Sequence, residues 1–161
     1  MGSIFDRIGD IVGKIVDNLM FIALLGMVVL VTLNAFLRYV LNTGIPQSEE
    51  LARYLFVWVV FMGAIMAFKE KKHVGVDIVV SRLKGIPRRI VLTISYTFVV
   101  IACAIMLKGG VEFTKLSVSS LGPATKIPFS YVSIAYVIAA FVMGIMAVVT
   151  LVKIVTKGEE I

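Results

Sequence analysis

The stretch "GIPQSEELARYLFVWVVFMGAIMAFK", residues 44–69, decides how often this chain crosses a membrane. Its uncharged run, residues 54–68, holds 15 residues between Arg53 and Lys69, fewer than the roughly 20 a helix needs to cross the hydrocarbon core. Pro46 alters the count, because proline suits the first position of a helix. A helix from Pro46 to Phe68 would be roughly 34 Å long at about 1.5 Å per residue. Glu49, Glu50 and Arg53 then lie inside its first turns, near one membrane face.

The other apolar runs need no extension. Residues 18–37, 90–107 and 127–152 hold 20, 18 and 26 uncharged residues. The whole chain of 161 residues is 60% hydrophobic and 16% charged, more apolar surface than a small soluble domain can hide. The expected fold is therefore an all-α integral membrane protein of one domain, residues 1–161. It has four transmembrane helices over about 18–40, 46–68, 88–108 and 128–153. Four spans put both termini on one side with the middle loop, and that side collects eleven of the 16 cations, the other five. The positive-inside rule places both termini in the cytoplasm, with the charged head of the second span facing outward.

Two segments read as lying along the membrane. In residues 1–17, Ile4, Ile8, Ile11, Val12 and Ile15 recur at helical spacing, with Asp6, Arg7, Asp10, Lys14 and Asp17 on the other face, the pattern of an amphipathic helix. "HVGVDIVVSRLKGIP", residues 73–87, reads as a short interfacial helix on the cytoplasmic side. His73 and Asp77 are four apart; they share a face if the local helix continues, or Asp77 caps the short helix, and either role is structural.

Chemistry is sparse. No Gly-rich phosphate loop is present, and one histidine at a membrane face cannot supply the paired ligands of a haem. No cluster has metal-ligand spacing. The lone Cys103 excludes an internal disulfide. Asp17, Glu49, Glu50, Glu70, Asp77 and Glu112 all lie at or near expected span ends, whereas a proton-coupled exporter wants a carboxylate deep in a span. The chain reads as no enzyme and as needing no cofactor; the lack of a mid-span carboxylate disfavours a stand-alone small exporter, and the lack of paired histidines a respiratory membrane-anchor subunit.

Helix contacts are better represented. Gly63 with Ala67, and Ala140 with Gly144, set small residues one turn apart, which lets helices approach within the chain or toward a partner. Asn34, Arg38 and Asn42 share one face by spacing. Glu49 or Glu50 with Arg53 can form an ion pair along the second span. Tyr39, Tyr54, Trp58 and Phe61 fit either an aromatic belt or a specific contact surface.

Residues 34–79 resemble the small membrane subunit (DctQ-like, or Q) of tripartite ATP-independent periplasmic (TRAP) transporters. The matching positions are Asn34, Arg38, Tyr39, Asn42, Glu49, Glu50, Leu51, Ala52, Arg53, Trp58, Gly63, Ala64, His73, Val76 and Asp77. "LGPATKIPFSYVSIAY" resembles the family's loop with a proline before the last span. Gln47-Ser48 departs from the pattern, which usually has an aromatic before the two glutamates. The pattern is most similar to the sialic-acid (SiaQ-like) branch. The resemblance implies a bacterial inner-membrane subunit partnered by a large permease (M) and a periplasmic substrate-binding protein (P), with sodium sites on M. It also implies that Asn34, Arg38, Tyr39, Asn42, Glu49, Glu50, Arg53, Tyr54, Trp58, Gly63 and Ala67 brace or dock partners at the subunit interface.

Overall fold

The computed structural model describes residues 2–70 and 86–157, with side chains described from residue 13 onward. Four helices dominate it: α1 (Gly2–Val40), α2 (Pro46–Lys69), α3 (Ile86–Leu116) and α4 (Ser130–Lys157). The shortest, α2, is about 36 Å long at about 1.5 Å per residue, and all four are long and apolar enough to cross a membrane. Pro46 is the first residue of α2, as its fixed φ and missing N–H predict.

Helix ends are set by local chemistry that counting charges does not capture. Asn42 takes a left-handed conformation, φ 52°, which asparagine tolerates, and the Thr43 N–H returns to the Leu37 carbonyl at 3.1 Å. α3 continues past the expected end at residue 108 to Leu116. Lys108, Glu112 and Lys115 lie within its last turns, so a charge bounds the apolar run without ending the helix. No break in α1 separates residues 1–17 from the first span. Gly13 already packs on α2, where a Cβ would lie 3.2 Å from Lys69 Nζ and 3.5 Å from Met66 Cε. The expected interfacial helix over residues 73–87, with His73 and Asp77, lies outside the described residues.

The helices form an open row in the order α1–α2–α4–α3, not a closed four-helix bundle. Among the described residues close backbone approach occurs between α1 and α2, α2 and α4, and α3 and α4. Small residues make these approaches possible: Ala135, Ala139, Ala140 and Ala147 of α4 are buried, and a Cβ on Gly144 would lie 3.4 Å from Cys103 Cβ of α3. The Ala140–Gly144 pair therefore serves packing inside the chain. Gly63 faces α1, its Cβ position 3.3 Å from Met20 Cε. Edge-on aromatic pairs add side-chain contacts: Phe61 of α2 with Tyr136 of α4 at 5.5 Å, and Phe68 of α2 with Tyr96 of α3 at 6.5 Å, a contact that curls the row. A row has two broad faces, so Val28, Phe56, Phe98, Ile105 and Phe141 remain exposed. In water that surface would drive aggregation; in a bilayer it meets lipid or another subunit.

Candidate functional site

α1 ends, α2 begins, α3 ends and α4 begins at one end of the molecule, here the hairpin end; the opposite end is the terminal end. Of the polar residues singled out by sequence, Asn34, Arg38, Glu49 and Glu50 gather at the hairpin end, in two groups on either side of α2.

The first group surrounds Glu50. Its side chain is buried, 2% exposed, and a buried carboxylate is tolerable only when fully hydrogen-bonded. The α3–α4 loop supplies the donors. The Ala124 and Thr125 amides donate to Oε2 at 2.8 and 3.0 Å, and the Thr125 hydroxyl donates to Oε1 at 2.9 Å. Tyr54, one turn along α2, donates its hydroxyl to Oε1. The loop is held in shape for this by its own hydrogen bonds, Gly122 N–H to the Ile127 carbonyl at 2.9 Å and Lys126 N–H to the Gly122 carbonyl at 3.0 Å. Lys126 accepts a left-handed φ of 60° to close the turn. Phe129, at the foot of the loop, stacks edge-on against Tyr54 at 5.6 Å. Gly122 has no space for a side chain: a Cβ there would overlap Glu50 Oε1 and the Tyr54 hydroxyl and lie 2.8 Å from Glu50 Cδ.

The second group fastens α1 to α2. Asn34 is buried, 4% exposed; its Oδ1 accepts the Ile45 N–H at 2.6 Å and its Nδ2 donates to Glu49 Oε1 at 2.8 Å. Arg38 Nη1 lies 3.9 Å from the same Glu49 oxygen, but both side chains are more than half exposed, so this pair contributes little. Asn34→Ala is expected to lower stability by about 1–3 kcal/mol, because the Ile45 amide loses its acceptor, while Arg38→Ala costs under about 1 kcal/mol. Thermal unfolding in detergent, followed through the single tryptophan Trp58, measures both; equal losses would show that the Glu49 pair matters more than its exposure implies.

The expected ion pair of Glu50 with Arg53 is not formed. Glu50 turns into the loop, and Arg53 is exposed and makes no ion pair among the described residues. Four directed donors out-compete one mobile guanidinium at an exposed site. Nor do the expected interface residues share one surface. Nine residues separate Glu49 and Trp58, two and a half turns, which puts them on opposite sides of α2. Glu49, Arg53, Phe56 and Val60 line one flank and are exposed; Trp58 on the other is half-buried. Tyr39 and Ala67 are exposed, Tyr54 is buried in the clasp, and Gly63 faces α1. Asn42 ends α1 and does not join the Asn34–Arg38 group.

Sequence reasoning missed Gly122, Ala124, Thr125 and Phe129 as partners of Glu50, although their loop carried a visible Gly-Pro turn. It also missed Gly110, where a Cβ would lie 2.6 Å from Tyr136 Cδ1 and 3.1 Å from Val137 Cγ2. Chemically the site is a fastening. The Glu50 carboxylate accepts four hydrogen bonds, so its oxygens are committed to structure and no general base is left free.

Comparison with known proteins gives this geometry a context. The family model for the DctQ component of tripartite ATP-independent periplasmic transporters matches residues 27–157. Two Haemophilus influenzae proteins, provisionally named TRAP transporter small permease proteins, are 32% and 35% identical over 136 and 139 residues, covering 83% and 86% of this chain and 84% of each relative. The isethionate TRAP transporter permease protein DctMQ of Oleidesulfovibrio alaskensis is 24% identical over 134 residues, 78% of this chain and 20% of that larger protein.

Proposed function

The chain belongs to the DctQ component family of TRAP transporters, and we propose that it is the scaffold on which the large permease subunit is held and the substrate-binding protein docks. It is a small permease subunit and a multi-pass membrane protein; such subunits transport and are not enzymes. A small TRAP permease works with a large M subunit and a substrate-binding protein. The match to about a fifth of DctMQ supports a partner of that kind.

The open row of helices is the observation that carries the reading. The row buries a seam of small residues along α4 yet leaves two broad apolar faces, on which a large membrane partner can be held. The proposal puts the substrate and sodium sites on M, and the lack of a charge in the middle of any described helix supports it. The proposed orientation puts the hairpin end on the periplasmic side of the inner membrane, following the distribution of cations. There, the Glu50 clasp holds the α3–α4 loop rigidly to α2 as a platform for the binding protein. The proposed transport is sodium-driven uptake of an organic acid. The residue pattern favours a sialic acid, while the name of one relative carries isethionate, another organic anion.

Co-purification from native membranes tests the proposal. The expected result is a large permease that accompanies this chain, and sodium-dependent uptake of sialic acid by the reconstituted complex. Substrate movement by this chain alone in liposomes, or no large permease in the purified material, would overturn the scaffold reading.

A further inference from the structure

The four helices divide into two hairpins, α1–α2 and α3–α4, and each is fastened at both ends. In the first, Asn34 ties α1 to the start of α2, and Gly13 of α1 packs on Met66 and Lys69 near the end of α2. In the second, Gly110 of α3 lies close against Tyr136 and Val137 of α4. At the terminal end the Arg89 guanidinium donates to the Val155 carbonyl, in the last turn of α4, where carbonyls have no partner within the helix.

The join between the hairpins is a single seam. Among the described residues α1 makes no close backbone approach to α3 or α4, so α2 alone carries the contact. Tyr54, Phe61 and Phe68 recur every seven residues along α2, two turns apart and so on one stripe. Each meets a ring of the second hairpin edge-on, Phe129, Tyr136 and Tyr96 in turn. Such contacts hold helices less firmly in lipid than in water, because lipid tails are as apolar as the rings they replace. Directed hydrogen bonds therefore count for more. At the hairpin end, those that cross the seam among the described residues all arrive at Glu50, from the Ala124 and Thr125 amides and the Thr125 hydroxyl. The terminal end is held differently. Phe68 is buried and reaches α3 at Tyr96, and the chain itself connects Lys69 of α2 to Ile86 of α3. We propose that the molecule is two helical hairpins pivoting at the terminal end and latched at the hairpin end by Glu50. Releasing the latch swings α3–α4 away from α2 and leaves each hairpin intact, an opening of part of the fold.

Pulsed dipolar spectroscopy of nitroxide pairs on the full chain in lipid nanodiscs tests this, with Cys103→Ala removing the native thiol. Labels at Tyr39→Cys and Lys115→Cys report the hairpin ends of the outer helices α1 and α3. Labels at Asp17→Cys and Ile90→Cys report the terminal ends of the same two helices. Asp17→Cys with Gln47→Cys, and Ile90→Cys with Tyr131→Cys, span one hairpin each, and all six positions are exposed. Glu50→Leu is expected to lengthen the first distance by about 5 Å or more, half a helix diameter, and to leave the other three unchanged. Thr125→Val removes one donor, and the same longer distance is expected as a minor population. Glu50→Gln, which keeps the loop closed, should match the wild type at all four. An unchanged hairpin-end distance in both Glu50→Leu and Thr125→Val would overturn the latch. Equal lengthening at both ends would overturn the pivot, and a longer distance within either hairpin would overturn the hairpins as the moving units.

Discussion

Gly122→Ala should cause the largest loss of folded protein of any single-methyl change in this chain. The added Cβ collides with Glu50 Oε1 and the Tyr54 hydroxyl, and lies 2.8 Å from Glu50 Cδ. Side-chain ends usually swing away from such an intrusion, but here the carboxylate is held by two amides and two hydroxyls. Moving it aside unfastens the loop; leaving it in place pushes the loop off α2. Overpacking a tight site costs about 1–3 kcal/mol, and stranded amides add about 1–3 kcal/mol each, together enough to unfold a marginally stable domain. The same substitution at two other glycines provides the scale. At Gly109 a Cβ meets nothing within 4 Å, so Gly109→Ala should be neutral or stabilise by up to about 1 kcal/mol through helix propensity. Gly110→Ala falls between, because the ring of Tyr136 and Val137 must shift. The monodisperse yield in detergent and the thermal midpoint should order the three as 109, 110, 122. A Gly122→Ala protein as stable as the wild type would mean that the loop does not close on Glu50.

The sequence made the elements legible because their signals are local. Uncharged runs mark lipid, Pro46 marks a helix start, and the cation count marks an orientation. Even there, a span and its helix have different ends: the uncharged run stops before Lys108, whereas the helix runs on to Leu116. Open-row packing was not legible: small residues at Gly63, Ala140 and Gly144 announce close approach but do not say which helix approaches. The polar site divides the same way. That Glu50 matters was visible from a carboxylate in a membrane helix; its partner was not. Glu50 and Arg53 are three apart, so spacing offers that pair first. Tyr54 apart, the donors that win are 74 and 75 residues further on, and two of them are backbone amides, which every residue but proline carries. No side-chain pattern identifies such a receptor. Gly122 carries the only trace, as a glycine beside Pro123 that reads as a turn and in fact leaves room for a carboxylate.

Substitutions at Glu50 separate the clasp from the pairing that spacing suggested. Glu50→Gln keeps one carbonyl oxygen for the Ala124 and Thr125 amides and turns an NH₂ toward the two hydroxyls, which can rotate to accept it. The loop should stay closed and the protein fold with a modest loss. Glu50→Leu has the right polarity for a membrane helix but strands both amides and both hydroxyls, and should lower the folded-to-unfolded ratio by on the order of thirtyfold or more. Insertion is not the failing step, because the helix becomes more apolar. Arg53→Leu should leave stability unchanged, since that side chain is exposed and unpaired among the described residues. A double-mutant cycle then decides between partners. Glu50→Leu combined with Thr125→Val should be much milder than the two losses together, by about fivefold or more in that ratio, because the second change removes a donor the first has already stranded. Glu50→Leu combined with Arg53→Leu should be additive. Coupling of Glu50 to Arg53 as strong as its coupling to Thr125 would return the carboxylate to the helix surface and dissolve the clasp.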